Sequence, residues 1–270
     1  MKIWLNGKFV KEEEAKVDIT SAGFLYGQGA FETMRAYNER VFRLDSHLER
    51  LFKALPMLNL ELTVGAEVLK KAVKQALKEN NLKDAYLRIT VWQGKDKAEA
   101  AVFARAYNFL NKEDYCKGFK AIISSFRQNE FSILSGIKSS NYLHLLLAYQ
   151  EVKKKNADEA VLLNTRGFLA EASRANIFLV KDNCLLTPSL GCGCLPGITR
   201  DTVLGLAGKE KIKAIEAKLK LEDIQGADEA FLTNSLIEIM SLVSVDGRPI
   251  KKGTPGKITE LLLGRYRSLV

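Results

Sequence analysis

The run around Lys138 is the part of the sequence best suited to nucleophilic chemistry. Between Gln128 and Val152 the only other formally charged residues are Glu130 and Glu151. Apolar surroundings disfavour the ammonium form of a lysine, and the neutral amine is a nucleophile that forms Schiff bases with carbonyl compounds. The same pattern also fits a lysine at the edge of a buried helix that extends its ammonium group to water.

A carboxylate and a candidate anion site lie further along the chain. Glu171 stands in a weakly polar run, where a carboxylate needs a cationic partner, although a solvent-facing turn glutamate after Gly167 fits the local sequence equally well. A helix is expected to begin just after Pro196, and the free N–H groups and positive dipole end of such a helix attract anions. The Thr199 hydroxyl adds a donor there, or simply caps the helix.

Arg50, Tyr86 and Arg88 are candidates for holding anionic groups. A guanidinium matches the geometry of phosphate and carboxylate, although Arg50 alone also fits a surface helix arginine. Tyr86 and Arg88 are two residues apart on a predicted strand and therefore face the same side, either as a carboxylate-binding pair or as an exposed strand face. Tyr142 is either a hydroxyl donor or a core aromatic at the start of a helix.

Six segments occur in a characteristic order between residues 23 and 235. This set resembles the class IV (fold type IV) pyridoxal-phosphate enzymes, which include branched-chain aminotransferases, D-amino-acid aminotransferases and aminodeoxychorismate lyases. Each segment alone is a weak signal, but the ordered set covers most of the chain. The segments are Gly23–Arg35, His47–Leu51, Lys138-Ser-Ser-Asn-Tyr-Leu143, Glu171-Ala-Ser-Arg-Ala-Asn-Ile-Phe178, Thr187-Pro188 with Leu195-Pro-Gly-Ile-Thr-Arg200, and Ala227–Ser235.

The resemblance implies pyridoxal phosphate as the cofactor and a role for each matching residue. Lys138 is expected to hold the cofactor as a Schiff base and to act as the general acid and base. Glu171 is expected to keep the ring nitrogen protonated, and Tyr142 to donate to the phenolic oxygen. The phosphate is expected to be bound by Arg50, Ile198, Thr199 and Ser235. The substrate pocket is expected to be lined by Tyr26, Phe31, Thr33, Tyr86, Arg88 and Leu236.

The family includes enzymes that catalyse different reactions, and this sequence has features of more than one of them. Tyr26, Phe31, Tyr86 and Arg88 resemble the branched-chain pattern, whereas Thr33, the Thr-Asn-Ser run ending at residue 235 and the short chain are more like the lyases. We expect an aminotransferase that exchanges an amino group between a branched-chain-like amino acid and a 2-oxo acid. The alternatives are a 4-amino-4-deoxychorismate lyase that releases pyruvate and p-aminobenzoate, a D-amino-acid aminotransferase, and a basic binding protein without catalytic activity.

The elements that position these residues form two predicted domains. Residues 1–108 are predicted to form a small α+β domain with two amphipathic helices, Asp45–Leu58 capped by Asp45 and Val68–Lys78 opened by Thr63. Residues 109–117 are polar and turn-rich, which predicts a linker. Residues 118–270 are predicted to form a larger domain with a helix at Tyr142–Lys154 and several strands. The resemblance implies an α+β fold of type IV, a β-barrel-like sheet in the larger domain, and the cofactor in the cleft between the domains.

Composition narrows the class of protein. The net charge of +9 permits anionic ligands, but lysines alternate with glutamates and no basic stripe carries stacking aromatics, so nucleic acid is not expected as a partner. No signal-peptide core or bilayer-length apolar run is seen, so a membrane association is not expected. Four cysteines without nearby histidines favour free thiols in a reducing cytoplasm over a metal site. The resemblance also implies a homodimer.

Overall fold

The computed structural model describes residues 1–108 and 110–270. The described chain groups into two compact units. The first comprises Met1–Asn108, Ile137–Tyr142 and Val270, and the second contains the rest of the described chain. The short segment that carries Lys138 therefore belongs to the unit formed mainly by the N-terminal part of the chain.

A six-stranded antiparallel sheet and three helices form the first unit. The sheet order is β2-β1-β6-β5-β3-β4. The strands are β1 (Lys2–Leu5), β2 (Lys8–Lys11), β3 (Gly29–Tyr37), β4 (Arg40–Val41), β5 (Ala85–Gln93) and β6 (Ala98–Ala106), and the helices are α1 (Ala22–Tyr26), α2 (Leu44–Met57) and α3 (Ala66–Glu79). A single 3-10 turn, Glu12–Glu14, follows β2.

The hydrophobic core of this unit lies between one sheet face and the two long helices. Buried side chains alternate along β5, so Leu87, Ile89 and Val91 join the same core as residues of α2 and α3 such as Leu51 and Val73. Each fully buried side chain of this size contributes about 1.5–3 kcal/mol. The opposite face of β5 presents its polar residues away from this core, and the candidate substrate residues stand there.

The starts of the two long helices differ from the predicted caps. The residue before α2 is Arg43, in the left-handed conformation, and the residue before α3 is Gly65. Asp45 lies inside the first turn of α2, and its carboxylate binds Lys70 Nζ at 2.5 Å. The predicted capping roles of Asp45 and Thr63 are therefore wrong, although both helices are present.

The second unit is built on a nine-stranded mixed sheet. Its order is β12-β11-β10-β13-β14-β7-β8-β9, with β15 paired to β14. Strand β9 also lies against β10 and β11, near the other end of that order, so the sheet curls on itself. The strands are β7 (Phe119–Gln128), β8 (Glu159–Asn164), β9 (Leu169–Ala172), β10 (Asn176–Lys181), β11 (Cys184–Pro188), β12 (Ala214–Ala217), β13 (Glu229–Asn234), β14 (Glu238–Val245) and β15 (Arg248–Pro249).

Five helices accompany this sheet in the described chain. Strand β8 is buried along its whole length, which is typical of a strand covered on both faces. The helices are α4 (Lys112–Lys117), α5 (Leu143–Lys154), α6 (Ile198–Lys209), α7 (Leu221–Gln225) and α8 (Lys257–Arg267), with a 3-10 turn at Leu190–Cys192. Both units mix helices and strands, as the expected α+β class requires.

The region predicted as a linker, 109–117, contains a short helix. Asn111 caps α4 by accepting a hydrogen bond from the Asp114 N–H at 3.1 Å, and the Asp114 side chain accepts one from the Asn111 N–H. Polar residues that suggested a turn thus form a capping box. Phe109, the first residue of the predicted linker, lies outside the described residues. The domain bounds 1–108 and 118–270 stay a prediction, from which the first unit differs by including 137–142.

The cysteines relate to the expected free thiols, and the helix lengths relate to the question of a membrane association. All four cysteines are free: Cys116 is exposed, Cys184 half-buried, and Cys192 and Cys194 buried. Burial, together with the neighbouring Glu171 carboxylate, raises the pKa of the Cys194 thiol to about 12, so it remains protonated at neutral pH. In residues 1–108 and 110–270, no helix has the length and apolar character needed to cross a membrane.

Candidate active site

Lys138 lies on an extended segment that is hydrogen-bonded to the start of β3. The Phe31 N–H donates to the Lys138 carbonyl at 2.9 Å, and the Ser140 N–H donates to the Gly29 carbonyl at 2.8 Å. Ser139 forms an isolated antiparallel bridge with Ala30 between these two bonds. Lys138 is therefore not at the edge of a helix, and its backbone is fixed by a neighbouring strand.

Two aromatic rings flank the Lys138 amine. Its Nζ lies 4.6 Å from the centre of the Phe31 ring and 5.6 Å from that of Tyr142. The two rings meet edge to face, with centroids 5.4 Å apart and an interplanar angle of 78°. Ring faces attract a cation electrostatically and also exclude water from it. Tyr142 precedes α5 and is half-buried, so it stands beside the amine and not inside a helical core.

Arg50 is held by a buried carboxylate that sequence reasoning did not single out. Glu32, on β3, accepts hydrogen bonds from Arg50 Nε and Nη2, both at 2.7 Å, and its side chain is fully buried. Such a bidentate pair fixes both the position and the plane of a guanidinium. Arg50 is thus half-buried and oriented, not a free surface arginine.

His47 completes this group from the preceding turn of α2. Its Nδ1 lies 2.7 Å from Glu32 Oε2, and the ring is buried. Burial tends to raise the pKa of Glu32, but the Arg50 guanidinium and the His47 hydrogen bond outweigh it and hold that pKa at about 2. Burial lowers the pKa of His47 despite the Glu32 carboxylate, so the ring is neutral at pH 7 and donates from Nδ1. Glu32 is the anionic centre of the cluster.

The polar face of the sheet brings the predicted substrate residues together. Thr33 is directly opposite Arg88 in the pairing of β3 with β5, and Phe31 is opposite Thr90. The Arg88 guanidinium carbon lies 3.8 Å from the Phe31 ring centre, and Arg88 Nε donates to Thr90 Oγ1 at 3.1 Å. Tyr86 shares this face, as its spacing from Arg88 predicted. One Phe31 ring therefore has the Lys138 amine and the Arg88 guanidinium as cationic neighbours.

Tyr26 is placed differently from the other predicted pocket residues. It is the last residue of α1, before Gly27 in the left-handed conformation, and 75% of its surface is exposed. The helix is anchored at Gly23, where a Cβ would lie 2.7 Å from the Trp92 side chain. The neighbouring Phe24 and Leu25 are also exposed, so α1 presents an apolar surface.

In the second unit, Glu171 is a buried strand residue. It lies on β9 opposite Leu162, is only 7% exposed, and accepts a hydrogen bond from the Leu195 N–H at 3.0 Å. The Asn176 side chain donates to the Leu195 carbonyl at 2.8 Å, so both backbone groups of Leu195 are bound. The interpretation of Glu171 as a solvent-facing turn residue is wrong, because Gly167 ends the turn before β9 begins.

The N-terminus of α6 has the features of an anion site. Gly197 precedes the helix without any side-chain cap bond, and Ile198 and Thr199 form its first turn. Thr199 is buried and does not cap the helix. A Cβ on Gly197 would lie 2.0 Å from Asn176 Oδ1, so any other residue there would require the Asn176 side chain to shift. The unbonded N–H groups of such a turn and its dipole favour a bound anion.

Arg200 has a structural role in this region. Its guanidinium is buried and donates to the Pro188 carbonyl at 3.1 Å and to Glu216 at 2.5 Å. These bonds tie the first turn of α6 to β11 and β12. The arginine that ends the predicted phosphate motif therefore supports the helix terminus without pointing its charge at the terminus.

Ser235 and Leu236 lie in the turn between β13 and β14. Asn234 Oδ1 accepts hydrogen bonds from the N–H groups of Leu236 and Ile237, at 2.8 and 2.9 Å. Its Nδ2 donates to the Arg174 carbonyl at 2.9 Å. Both turn residues are half-buried. The turn is thus shaped by one asparagine, and local sequence did not mark Asn234 as its organiser.

The described residues fit what pyridoxal phosphate requires of a protein. The first unit supplies an amine flanked by aromatic rings and an oriented guanidinium. The second supplies a buried carboxylate and a helix N-terminus preceded by a glycine that Asn176 approaches closely. Amine, carboxylate and phosphate-binding donors are the groups that this cofactor needs.

Comparison with known proteins identifies the family. Residues 29–245 match the family model of amino-transferase class IV. The chain is 38% identical to a putative branched-chain-amino-acid aminotransferase of Methanocaldococcus jannaschii, over 100% of this chain and 96% of that protein. It is 34% identical to a branched-chain-amino-acid aminotransferase of Pseudomonas aeruginosa, over 99% and 92%. The chain belongs to the class IV aminotransferases.

Solved structures support the same family. A branched-chain amino acid aminotransferase of Escherichia coli superposes with a TM-score of 0.95 at 30% identity, over 99% of this chain and 94% of that one. A branched-chain aminotransferase of Thermoproteus uzoniensis gives a TM-score of 0.93 at 36% identity, over 99% and 93%. The expected fold type IV is confirmed.

These findings settle the class of reaction. The protein is a pyridoxal-phosphate-dependent aminotransferase that acts on an amino acid and a 2-oxo acid. A similar branched-chain amino acid aminotransferase was solved with pyridoxamine 5'-phosphate. The lyase alternative is not supported, because the matched relatives are named aminotransferases along the full length of the chain. The alternative of a basic protein without catalytic activity is discarded for the same reason.

Proposed function

We propose that this aminotransferase exchanges amino groups between branched-chain amino acids and 2-oxo acids. The named relatives support this substrate class, at 32–38% identity over 96–100% of the chain. Similar structures were solved with norvaline, with 4-methylvaleric acid and with N-(5'-phosphopyridoxyl)-L-glutamate. The first two ligands are unbranched or branched aliphatic acids, and the third carries the glutamate skeleton.

The observation that carries the proposal is the arrangement around Phe31. Its ring is 4.6 Å from the Lys138 amine and 3.8 Å from the Arg88 guanidinium, with Thr33 and Tyr86 on the same sheet face. An aliphatic side chain packs on the aromatic surface, while the substrate carboxylate pairs with Arg88. Binding both ends of the substrate orients the Cα–H bond for removal.

Each matched residue receives one role in the proposal. Pyridoxal phosphate, when bound, supplies the electron sink that makes the Cα proton of the substrate acidic. Lys138 would hold the cofactor through Nζ and would move the proton that leaves the substrate Cα. Glu171 would keep a proton on the ring nitrogen, and Tyr142 would donate to the phenolic oxygen. Arg50, Ser235 and the first turn of α6, with Ile198 and Thr199, bind the phosphate, while Tyr26 and Leu236 complete the pocket.

Reductive trapping tests the assignment of Lys138. Borohydride treatment of the purified protein is expected to fix the cofactor to Lys138, located by mass spectrometry of peptides, and Lys138→Ala is expected to lose transamination by about 10²–10⁴-fold. Lys120→Ala, at an exposed lysine on β7, is the control and keeps full activity. Recovery of the reduced adduct on another lysine contradicts the assignment.

A substrate panel tests the specificity. Leucine, isoleucine and valine are expected to give kcat/KM values well above those for D-alanine or aspartate, with 2-oxoglutarate as acceptor. Arg88→Ala is expected to raise KM for the amino acid while cofactor absorbance stays unchanged, because the proposal places Arg88 on the substrate and not on the cofactor. If aspartate or D-alanine is the best substrate, the branched-chain assignment is wrong while the aminotransferase class stands.

The exposed surface of α1 supports a homodimer. Phe24 and Leu25 are 62% and 53% exposed and adjoin Tyr26, an apolar patch that a monomer leaves in water. Light scattering is expected to give twice the mass of the chain, and Phe24→Glu with Leu25→Glu is expected to give monomers. Ile215→Glu, at an exposed apolar residue of β12, is the control. A monomeric wild type contradicts the proposal.

The cytoplasm is the proposed compartment. Four free cysteines, of which Cys116 is exposed, suit a reducing environment, because exposed thiols oxidise outside it. Fractionation of cells is expected to recover the activity with cytoplasmic markers, and recovery with an extracellular or membrane fraction contradicts this placement.

A further inference from the structure

A cavity in the first unit shares no residue with the candidate active site. Its volume is about 930 Å³, within the range of small-molecule pockets. It lies between the hairpin that contains β4, the first turn of α2 and the outer face of α3. The lining residues are Glu39, Arg40, Val41, Arg43, Leu44, Asp45, Ser46, Lys70, Lys74, Leu77, Lys78, Asn81, Leu82 and Lys83.

The charge of this lining is strongly positive. Six basic side chains and two carboxylates line the cavity, which gives the lining a net charge of +4. The basic residues are Arg40, Arg43, Lys70, Lys74, Lys78 and Lys83. Within the described lining, Lys70 Nζ forms an ion pair with the Asp45 carboxylate at 2.5 Å. Lys70, Lys74 and Lys78 follow one another at four-residue intervals, so like charges are neighbours on one helix face, an arrangement that is unfavourable until an anion binds.

The α2 N-terminus adds to this positive field. Leu44, Asp45 and Ser46, the first residues of the helix, line the cavity, and Arg43 before them makes no side-chain cap bond. The first N–H groups of a helix have no partner within the helix and favour anions. The cavity is also preformed, because the Glu39 N–H donates to the Lys83 carbonyl at 2.8 Å and joins two of its walls.

The floor of the cavity is apolar. Val41 and Leu82 are partly exposed and supply its apolar surface, whereas Leu44 and Leu77 behind them are only 7% and 2% exposed. A purely inorganic anion leaves this floor unused, whereas a ligand with an apolar or flat ring system covers it. The described lining has no aromatic side chain for base stacking, which separates it from surfaces that bind single-stranded nucleic acid.

We infer that this cavity binds a small molecule that joins several phosphate charges to an apolar ring system, as a nucleoside triphosphate does. The phosphates contact Lys74, Lys78, Arg40 and Arg43 near the α2 N-terminus. The ring system rests on the apolar surface of Val41 and Leu82. This inference is independent of the substrate assignment, because every residue it uses lies outside the catalytic set.

Calorimetric titration of the holoenzyme with ATP in low-salt, magnesium-free buffer tests the inference. The holoenzyme is used so that the cofactor already occupies the catalytic phosphate site. Lys74→Ala with Lys78→Ala is expected to weaken ATP binding by about tenfold or more, because two charge-assisted contacts are lost. Both lysines are exposed, so the variant is expected to keep its fold, its cofactor absorbance and its transaminase activity.

A matched variant separates a built site from general charge attraction. Lys71→Ala with Lys16→Ala removes the same charge from exposed lysines outside the cavity, one of them on α3, and is expected to bind ATP within about twofold of wild type. Inorganic triphosphate is expected to bind more weakly than ATP, and adenosine not at all. Equal weakening in both double variants, equal affinity for triphosphate and ATP, or binding of single-stranded RNA but not ATP overturns the inference.

Discussion

Glu32 in the first unit and Glu159 in the second are both buried, and their pKa values are shifted in opposite directions. Glu32, in the first unit, pairs with both nitrogens of Arg50 and with His47, and its pKa falls to about 2 although burial opposes this. Glu159, in the second, contacts Ser173 and the Ala160 N–H of its own strand, with Arg174 Nε at 3.3 Å. Burial raises the pKa of Glu159 and prevails over these partners.

The difference shows that the hydrogen-bond donors around a buried carboxylate, and not its depth alone, decide the direction in which its pKa shifts. Both side chains are about 1% exposed. A bidentate guanidinium supplies two short charge-assisted hydrogen bonds to Glu32, whereas Arg174 is 40% exposed and shares its charge with water and with the Tyr149 ring, 3.5 Å away. Glu32 is therefore suited to orient Arg50, whereas Glu159 binds Ser173 and the Ala160 N–H and has only a longer contact with Arg174.

Replacing Glu32 by glutamine gives the largest expected effect. Glu32→Gln keeps the shape but leaves the Arg50 charge half-buried without a carboxylate, which is expected to cost about 3–5 kcal/mol of unfolding free energy. Urea denaturation measures this. If Arg50 binds the cofactor phosphate, cofactor affinity falls as well, since the guanidinium loses its orientation. A variant as stable as wild type removes the distinction between the two glutamates.

The stability of the protein is expected to depend on pH through Glu32. The pKa of Glu32 is lower in the folded protein than in the unfolded chain, so its contribution is fully present above the unfolded value and is lost as pH falls from about 4.5 towards 2. The loss is on the order of 3 kcal/mol. Acid denaturation of wild type is expected to be steeper than that of Glu32→Gln in this window. Parallel curves contradict a charged Glu32.

Two glycines on or beside α6 test how tightly the second unit is built. Gly197→Ala places a Cβ against Asn176 Oδ1 and is expected to cost about 1–3 kcal/mol and to lower cofactor retention. Gly205→Ala, within α6 and without any atom near its added Cβ, is expected to stabilise by up to about 1 kcal/mol. Thermal melts with and without cofactor compare them. Equal effects contradict a close-fitting helix terminus.

Replacing Glu159 by glutamine gives the smallest expected effect. Because the pKa of Glu159 is raised on folding, its favourable contribution is present below the unfolded pKa and disappears as pH rises through the folded one. Glu159→Gln, a neutral isostere, is therefore expected to be within about 1 kcal/mol of wild type at pH 5 and equal or more stable at pH 8. If Glu159→Gln is strongly destabilised at pH 8, Glu159 stabilises the fold as Glu32 does, and the proposed difference between the two glutamates is wrong.

Sequence reasoning succeeded where local pattern and long motifs coincide. The two long helices follow from hydrophobic periodicity, and the shared face of Tyr86 and Arg88 on β5 follows from strand alternation. The family and the cofactor followed from the ordered motifs, the aminotransferase was preferred over the lyase on divided signals, and the comparisons confirm all three. The roles of the individual site residues stay predictions.

The parts that sequence reasoning missed depend on contacts between distant residues. Glu32 gains its partners from helix α2, further along the chain, and nothing in its own strand distinguishes it from other alternating residues. Glu171 looked equally like a turn residue until its pairing with β8 showed a strand. Helix α4 was predicted to be a linker, because capping boxes and polar turns use the same residue types.

The attachment of residues 137–142 to the first unit has a consequence for synthesis of the chain. A fragment that ends at Asn108 lacks the strand-like segment whose carbonyl and N–H groups bond to Phe31 and Gly29. The N-terminal region therefore cannot complete these hydrogen bonds during synthesis until residue 140 has been translated. The contact between residues 29 and 140 also closes a long loop, a step that slows folding. Splitting the gene at residue 108 is expected to separate the nucleophilic lysine from most of the unit that holds it.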